Sequence, residues 1–397
     1  MRVYFDYNAT TPLALEVIEA VARATRDVFG NASSVHHFGQ QAKAALDTAR
    51  SAVAALIHAD PSEVVFTSGG TEADNFALRG AAEALEPTRG RHLVASAIEH
   101  EAVLNTLKAL ARKGWRTTLV PVDHTGIVST DRLRDAMTED TVLVSVMHAN
   151  NEIGTIQPIA EIAKVAHERG ALLHVDAVQS AGKIPVDVRA LDVDLLALSA
   201  HKFNGPKGAG ILWAKRGTRL LPILTGGKHE RNRRAGTENV PAIVGLGVAA
   251  TLAVEKMAAE AVRVAALRDR LETGILTRVS GTVVNGSKDS RVPNTTNLSF
   301  DRVEAESLLI ALDLEGVAVS TGSACSSGTL EPSHVLRAMG FSAHRAQNSL
   351  RFSLGLFSTD AEVDRVLAVL PGLVDKLRSL TLAGKEPSRS KPVGNIR

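Results

Sequence analysis

Six short apolar segments, at residues 64–66, 93–95, 142–146, 171–175, 195–198 and 211–213, most limit what this chain can fold into. They do not alternate apolar with polar residues, so both faces of each must be buried. Stretches with helical periodicity separate them, such as Ala42, Leu46, Ala49, Val53 and Leu56 on one face of a helix starting near Gln40. Strands buried on both faces and joined through helices belong to a parallel sheet covered on each side. The expected fold is therefore α/β. At the N-terminal end, Thr11-Pro12 reads as a helix cap and first-turn proline, with Val17, Val21 and Val28 following at helical spacing.

Beyond the sixth segment the pattern changes. Residues 240–279 read as one long Ala-rich helix. Strands at 283–284, 296–300 and 317–320 and helices at 333–339 and 360–380 read as a smaller α+β domain, completed by the N-terminal segment. The expected division is a large domain at 13–258, a small domain from 1–12 and 259–380, and a loose tail at 381–397 rich in Pro, Ser, Gly and Lys.

Composition narrows the function classes. With 45 Lys+Arg against 43 Asp+Glu, the net charge of +2 leaves no footprint for nucleic acid or an anionic membrane. The N-terminus lacks the apolar core of a signal peptide, and apolar runs such as 142–147 are far short of the ~20 residues that span a bilayer. One cysteine, Cys325, excludes an intrachain disulfide and every C-x-x-C site. Together these predict a cytoplasmic protein with one thiol, either buried and inert or reactive.

In parallel sheets, ligands bind beyond the carboxyl ends of the strands, and the polar clusters fall there. Thr67-Ser68-Gly69-Gly70-Thr71-Glu72 leads into a helix and suits a phosphate, since small residues let backbone N–H groups approach an anion. Taken singly it also fits an ordinary strand-to-helix turn. Asp176 ends a buried strand and needs a cationic or N–H partner. Lys202 follows the next strand, within Ser199-Ala200-His201-Lys202. A phosphate turn, a buried acid and an amine at adjacent strand ends match the groups of pyridoxal 5′-phosphate: a phosphate, a ring nitrogen and an aldehyde.

Other candidates carry two readings each. His100 either stacks on a flat ring or merely caps its helix. Asn150-Asn151-Glu152 either positions a ligand oxygen or forms a polar turn. Arg351 either binds a carboxylate or makes a surface ion pair. The basic stretch Lys228–Arg234 has no interleaved aromatic residue and suits a phosphate or subunit contact. Cys325, flanked by Ser, Gly and Ala, predicts an exposed loop and a reactive thiol.

These motifs, in this order, resemble the cysteine desulfurases of the NifS/IscS type, in the fold-type I, class V group of pyridoxal-phosphate enzymes. The resemblance runs from about Tyr4 to Leu377. It includes Asp6-Tyr7-Asn8-Ala9-Thr10-Thr11-Pro12, Asp176-Ala177-Val178-Gln179, Arg234-Ala235-Gly236-Thr237-Glu238-Asn239, Gly322-Ser323-Ala324-Cys325 and Leu330-Glu331-Pro332-Ser333. It implies a mostly parallel seven-stranded sheet in the large domain. It further implies that Lys202 holds the cofactor as a Schiff base and moves the substrate's α-proton, while Asp176 pairs with the ring nitrogen. Gln179 and Asn151 would meet the ring-oxygen side, His100 the ring face, and Gly70, Thr71, Ser199 and His201 the phosphate. Thr237 would reach the site of a second subunit in a homodimer, Arg351 and Asn151 would take the substrate, and Cys325 would be the nucleophile.

The implied reaction takes sulfur from L-cysteine onto Cys325 and then to an acceptor protein, such as an iron–sulfur scaffold, leaving L-alanine. An aminotransferase of the same fold has no use for Cys325, and a selenocysteine lyase would differ in its preferred substrate. A non-enzymatic binding protein would not need Lys202, Asp176 and His100 intact. Lys228 and Asn232 depart from the family pattern, standing where glycine is frequent. Lysine is poorly suited to a left-handed backbone; asparagine is tolerated there.

Overall fold

The computed structural model describes residues 2–322 and 332–383; Cys325, its immediate flanks and the tail from residue 384 lie outside them. The described residues form twelve strands: β1 (Val3–Tyr4), β2 (Val64–Thr67), β3 (His92–Ser96), β4 (Arg116–Val120), β5 (Thr141–Ser145), β6 (Leu172–Asp176), β7 (Leu195–Ser199), β8 (Gly210–Ala214), β9 (Thr282–Asn285), β10 (Thr295–Phe300), β11 (Val317–Ala318) and β12 (Ser349–Ser353). Seven make the main sheet, in the order β2-β8-β7-β6-β5-β3-β4. Pairings among β4, β3, β5, β6 and β7 are parallel, and β8 runs antiparallel to both its neighbours.

The six apolar segments are strands because both their faces are buried. On β7, Leu196 and Leu198 enter the core beneath helices His37–Leu56 and Val240–Arg278. Leu195 and Ala197 enter the opposite core, with Phe76 and Leu107 of helices Gly70–Arg89 and Glu101–Ala111. Each fully buried Val, Leu or Phe contributes roughly 1.5–3 kcal/mol of transfer free energy, so the sheet is held from two sides. The seventh strand, β4, was not visible as an apolar run. It is an edge strand that starts on an exposed Arg116 and leaves Leu119 half exposed, so it has little apolar surface to declare it.

A third core unites β1, the antiparallel sheet β9-β10-β12 and helices Ala305–Leu314 and Asp360–Ala383, including Phe5, Leu271, Phe300, Leu308, Phe352 and Leu370. β1 pairs in parallel with β11, bringing the N-terminal segment to the C-terminal part. Helix Val240–Arg278 belongs to two cores: Leu246 and Ala250 pack under the main sheet, while Leu267 and Leu271 pack in the smaller part. By length and apolar composition it would also pass as a membrane span. Its packing into both cores accounts for its apolar character.

The Thr11-Pro12 cap does not form. Helix Leu15–Asp27 starts after Ala14, which makes no side-chain cap. Thr11 Oγ1 instead donates to the His201 carbonyl at 2.9 Å and accepts from the Asn204 N–H at 2.8 Å, tying the N-terminal segment to the loop that carries Lys202. Lys228 has an ordinary φ of −78°, whereas Asn232 is left-handed at +64° together with Glu230 and Arg231, so the departure at Lys228 imposes no strain.

Candidate active site

The strand order places β4 on one side of β3 and β5 on the other, so the connections reverse direction between β3 and β5. A crevice opens at such a switch point, beyond the carboxyl ends of the strands. Here it is a cavity of about 350 Å³, within the range of small-ligand sites. His100 follows β3, Met147 and Asn151 follow β5, Gln179 follows β6, and His201 and Lys202 follow β7. Gly70 and Thr71 begin a helix at the cavity wall, and Arg351 of β12 reaches it from the smaller part.

Among the described residues, all those to which the resemblance gives a site role line this cavity except Thr237, whereas Asn150, Glu152 and the basic stretch do not line it. Thr237 is exposed and lies elsewhere on the chain's surface. Cys325 lies outside the described residues.

Lys202 is the amine at the centre. Its Nζ donates to the carbonyls of Asn8 and Ala9 at 2.6 and 2.8 Å. Burial and the Arg351 charge depress its pKa to about 8, against the opposing pull of Asp176 and Asp6. A neutral amine is therefore within reach near physiological pH, as imine chemistry requires. Asp176 is almost fully buried, and its Oδ1 accepts from the Val178 N–H at 2.9 Å, the N–H partner its burial demands. Burial raises its pKa, while His100, the Val178 bond and Lys202 oppose the rise.

His100 has the capping role. It caps helix Glu101–Ala111, with Nδ1 accepting from the Ala102 N–H at 3.1 Å, and it also lines the cavity. The helix at Gly70 has Gly69 as its N-cap, which has no side chain to cap the first-turn N–H groups. A Cβ at Gly70 would lie 2.8 Å from Val178 Cγ2, so only glycine lets the backbone approach this closely. His201, its Nδ1 at 3.1 Å from Thr10 Oγ1, is pushed down to about 4 by burial and the charges of Lys202, Lys207 and Lys183.

Arg351 is buried and makes no surface pair. Its guanidinium donates to Asp6 Oδ1 at 2.6 Å and to the Asn151 carbonyl at 3.0 Å, and among the described residues its Nε has no partner. Asn150 is structural: its Oδ1 accepts from the Glu152 and Ile153 N–H groups, closing the turn beside Asn151. Three arginines of the basic stretch bind within the chain. Arg231 and Arg233 bind carbonyls of Ser62 and Val64, and Arg234 forms a two-pronged pair with Glu72 at 2.7 and 3.0 Å.

Residues 3–366 match the aminotransferase class-V family. The cysteine desulfurase IscS of Dictyoglomus turgidum is 49% identical over 380 residues, 96% of either chain. The chain belongs to this family, in its cysteine desulfurase branch. Another member, the cysteine desulfurase IscS of Methanosarcina thermophila, is 48% identical over 379 residues, covering 96% of this chain and 93% of its own. Among solved structures, a NifS-like protein superposes with a TM-score of 0.87 at 38% identity, over 96% of this chain and 100% of that one. SspA in complex with cysteine superposes at 0.80 with 35% identity, over 90% and 100%.

Members of this family are pyridoxal-phosphate enzymes, and the cavity's donors fit that cofactor. The amine, the buried carboxyl and the uncapped helix start line a single cavity. Two further lining residues, Asn8 and Asp74, were missed from the sequence. Asn8 reaches the cavity from the N-terminal segment, and its signal was its place in the Asp6–Pro12 motif. Asp74 lines the cavity one helical turn beyond Gly70, a spacing that puts both on one face. It is buried, with Oδ1 3.5 Å from His174 Nε2, and burial together with Asp176 and Glu99 raises its pKa well above the usual carboxylate range. Glu152, also buried, accepts from the Ser333 hydroxyl at 2.5 Å.

Proposed function

We propose that this chain is a pyridoxal-phosphate-dependent cysteine desulfurase, taking L-cysteine to L-alanine and its sulfur to Cys325 as a persulfide. The observation that carries this reading is the single cavity holding Lys202, with its amine depressed to about 8, the buried Asp176 and the buried Arg351. When bound, the cofactor supplies an aldehyde for covalent capture and an electron sink for the substrate's Cα.

The rest falls to the chain. Lys202 would hold the cofactor, and its Nζ would take the Cα proton. Asp176 keeps a proton at the ring nitrogen. Gly70, Thr71, Ser199 and His201 hold the phosphate, His100 covers the ring face, and Gln179 and Asn151 meet the ring oxygen. Arg351, with Asn151, orients the substrate carboxylate. The Cys325 thiolate attacks the substrate sulfur, so an S–S bond forms as the substrate's C–S bond breaks. Protons return to the carbon skeleton, and the products are L-alanine and one persulfide.

The persulfide then passes to an acceptor protein, such as an iron–sulfur scaffold. A homodimer in which Thr237 serves the neighbouring site suits that residue's exposed position away from its own cavity. The net charge of +2 suits a small zwitterion and a protein acceptor in the cytoplasm, with no nucleic-acid or membrane partner. The test is mass spectrometry of the holoenzyme after incubation with L-cysteine, with alanine assayed in parallel. The expected result is one alanine per added sulfur, on the Cys325 peptide alone. Amino transfer to a 2-oxo acid without added sulfur would overturn the reading.

A further inference from the structure

Lys183 is a second buried amine that the proposed mechanism leaves unused. It does not line the main cavity; it faces a smaller pocket behind Lys202, lined also by Phe203, Leu252 and Met257. Its stem keeps some exposure there, while burial and the charges of Lys202 and Arg351 hold its amine well below the usual lysine range. Nζ donates to Gln179 Oε1 at 2.7 Å and to Asn8 Oδ1 at 3.1 Å. Even a neutral amine has two N–H groups, and two acceptors receive them.

The oxygen and nitrogen of an amide are told apart by their neighbours. Each amide here is pinned in turn. Asn8 Nδ2 donates to Thr295 Oγ1 at 2.8 Å and to the Asn151 carbonyl at 3.1 Å, which turns Asn8 Oδ1 toward Lys183 and toward Asn294 Nδ2. Gln179 has the Lys183 amine on one side and the Asn8 carbonyl on the other, to which its Nε2 donates at 3.0 Å. Its oxygen is thereby taken by Lys183, and one N–H remains on a side chain that lines the cavity.

We propose that Lys183 is a positioning residue, fixing the Gln179 amide so that its NH2 group and not its oxygen serves the ring-oxygen side of the cofactor. This rests on the reading that Gln179 contacts that oxygen. A flipped amide would set a carbonyl against an anionic ring oxygen, and would also face the Asn8 carbonyl with a second acceptor.

The experiment follows the visible absorbance of the holoenzyme against pH, without substrate. An N–H donated to the ring oxygen favours the deprotonated chromophore, so losing it raises the midpoint. Gln179→Leu and Lys183→Met should each raise it by about one unit, a tenfold change in the proton dissociation constant. Lys183→Arg, which keeps a donor, should stay close to wild type. In the Gln179→Leu background, Lys183→Met should add nothing.

Should Lys183→Met fold poorly, Lys183→Gln serves instead, because its amide can donate or accept and no longer dictates one orientation. An unmoved midpoint in Gln179→Leu would overturn the reading of Gln179 and the proposal with it. A shift in Gln179→Leu but none in either Lys183 variant would overturn the proposal alone. So would a Lys183 effect that persists undiminished without Gln179.

Discussion

Arg50 and Glu230 form a two-pronged ion pair, at 2.8 and 2.7 Å, with side chains only 8% and 3% exposed. Glu230 also accepts from the Phe66 N–H, and Arg50 donates to the Val64 carbonyl, so the pair fastens the 230–232 loop to β2. That loop holds three consecutive left-handed residues, which need outside support. Arg50→Ala would leave a buried carboxylate unpaired and should cost about 3–5 kcal/mol. Urea unfolding measures it, with the exposed Arg26–Asp27 pair as the control whose loss should leave the midpoint essentially unmoved.

The depressed Lys202 amine sets a pH profile for cofactor capture. Cofactor-free protein mixed with pyridoxal phosphate and trapped with borohydride should gain adduct steeply up to about pH 8 and level off above it. An ordinary lysine would keep gaining to about pH 10. Lys202→Ala should show no adduct at that peptide by mass spectrometry.

Glu99 carries a separate signature. It is fully buried, with Oε1 accepting from the Ser96 hydroxyl and the Met147 N–H and Oε2 without a partner among the described residues, and burial pushes its pKa up to about 8. Because its folded value lies above its unfolded one, its contribution is fully present below about pH 4.5 and is lost as pH rises toward 8. Glu99→Gln, which cannot ionise, should gain on wild type by up to about 1.4 kcal/mol per pH unit across that window. Parallel stability curves for the two proteins between pH 5 and 7 would count against a protonated Glu99.

Arg351→Ala should retain the cofactor's visible band and lose catalytic efficiency for L-cysteine by roughly 10–100-fold, mainly through KM. That is the range for one charge-assisted hydrogen-bond partner. Steady-state kinetics over a range of L-cysteine concentrations separates this from a fall in kcat alone.

What the sequence made legible follows from locality. The main-sheet strands buried on both faces announced themselves, and their carboxyl ends pointed to Asp176, Gln179, Ser199 and Lys202, because strand and ligand-facing residue are adjacent in the chain. β4 was silent because an edge strand has half the burial to encode. Thr11 looked like a helix cap because its true partners, His201 and Asn204, are nearly two hundred residues away. Lys183 was passed over for a different reason. A lysine four positions after Gln179 is unremarked until the structure shows its amine turned inward.

The tie between the first residues and the last strands has a consequence for how the protein is made. β1 pairs with β11, the Asn8 N–H donates to Ser353 Oγ, and Asn8 and Ala9 are the carbonyls that hold Lys202. On the ribosome the segment that completes the site is synthesised first and must wait for residues near 350 to emerge. The main sheet has all its strands long before then, so a nascent chain reaches much of its architecture before this site can close around Lys202.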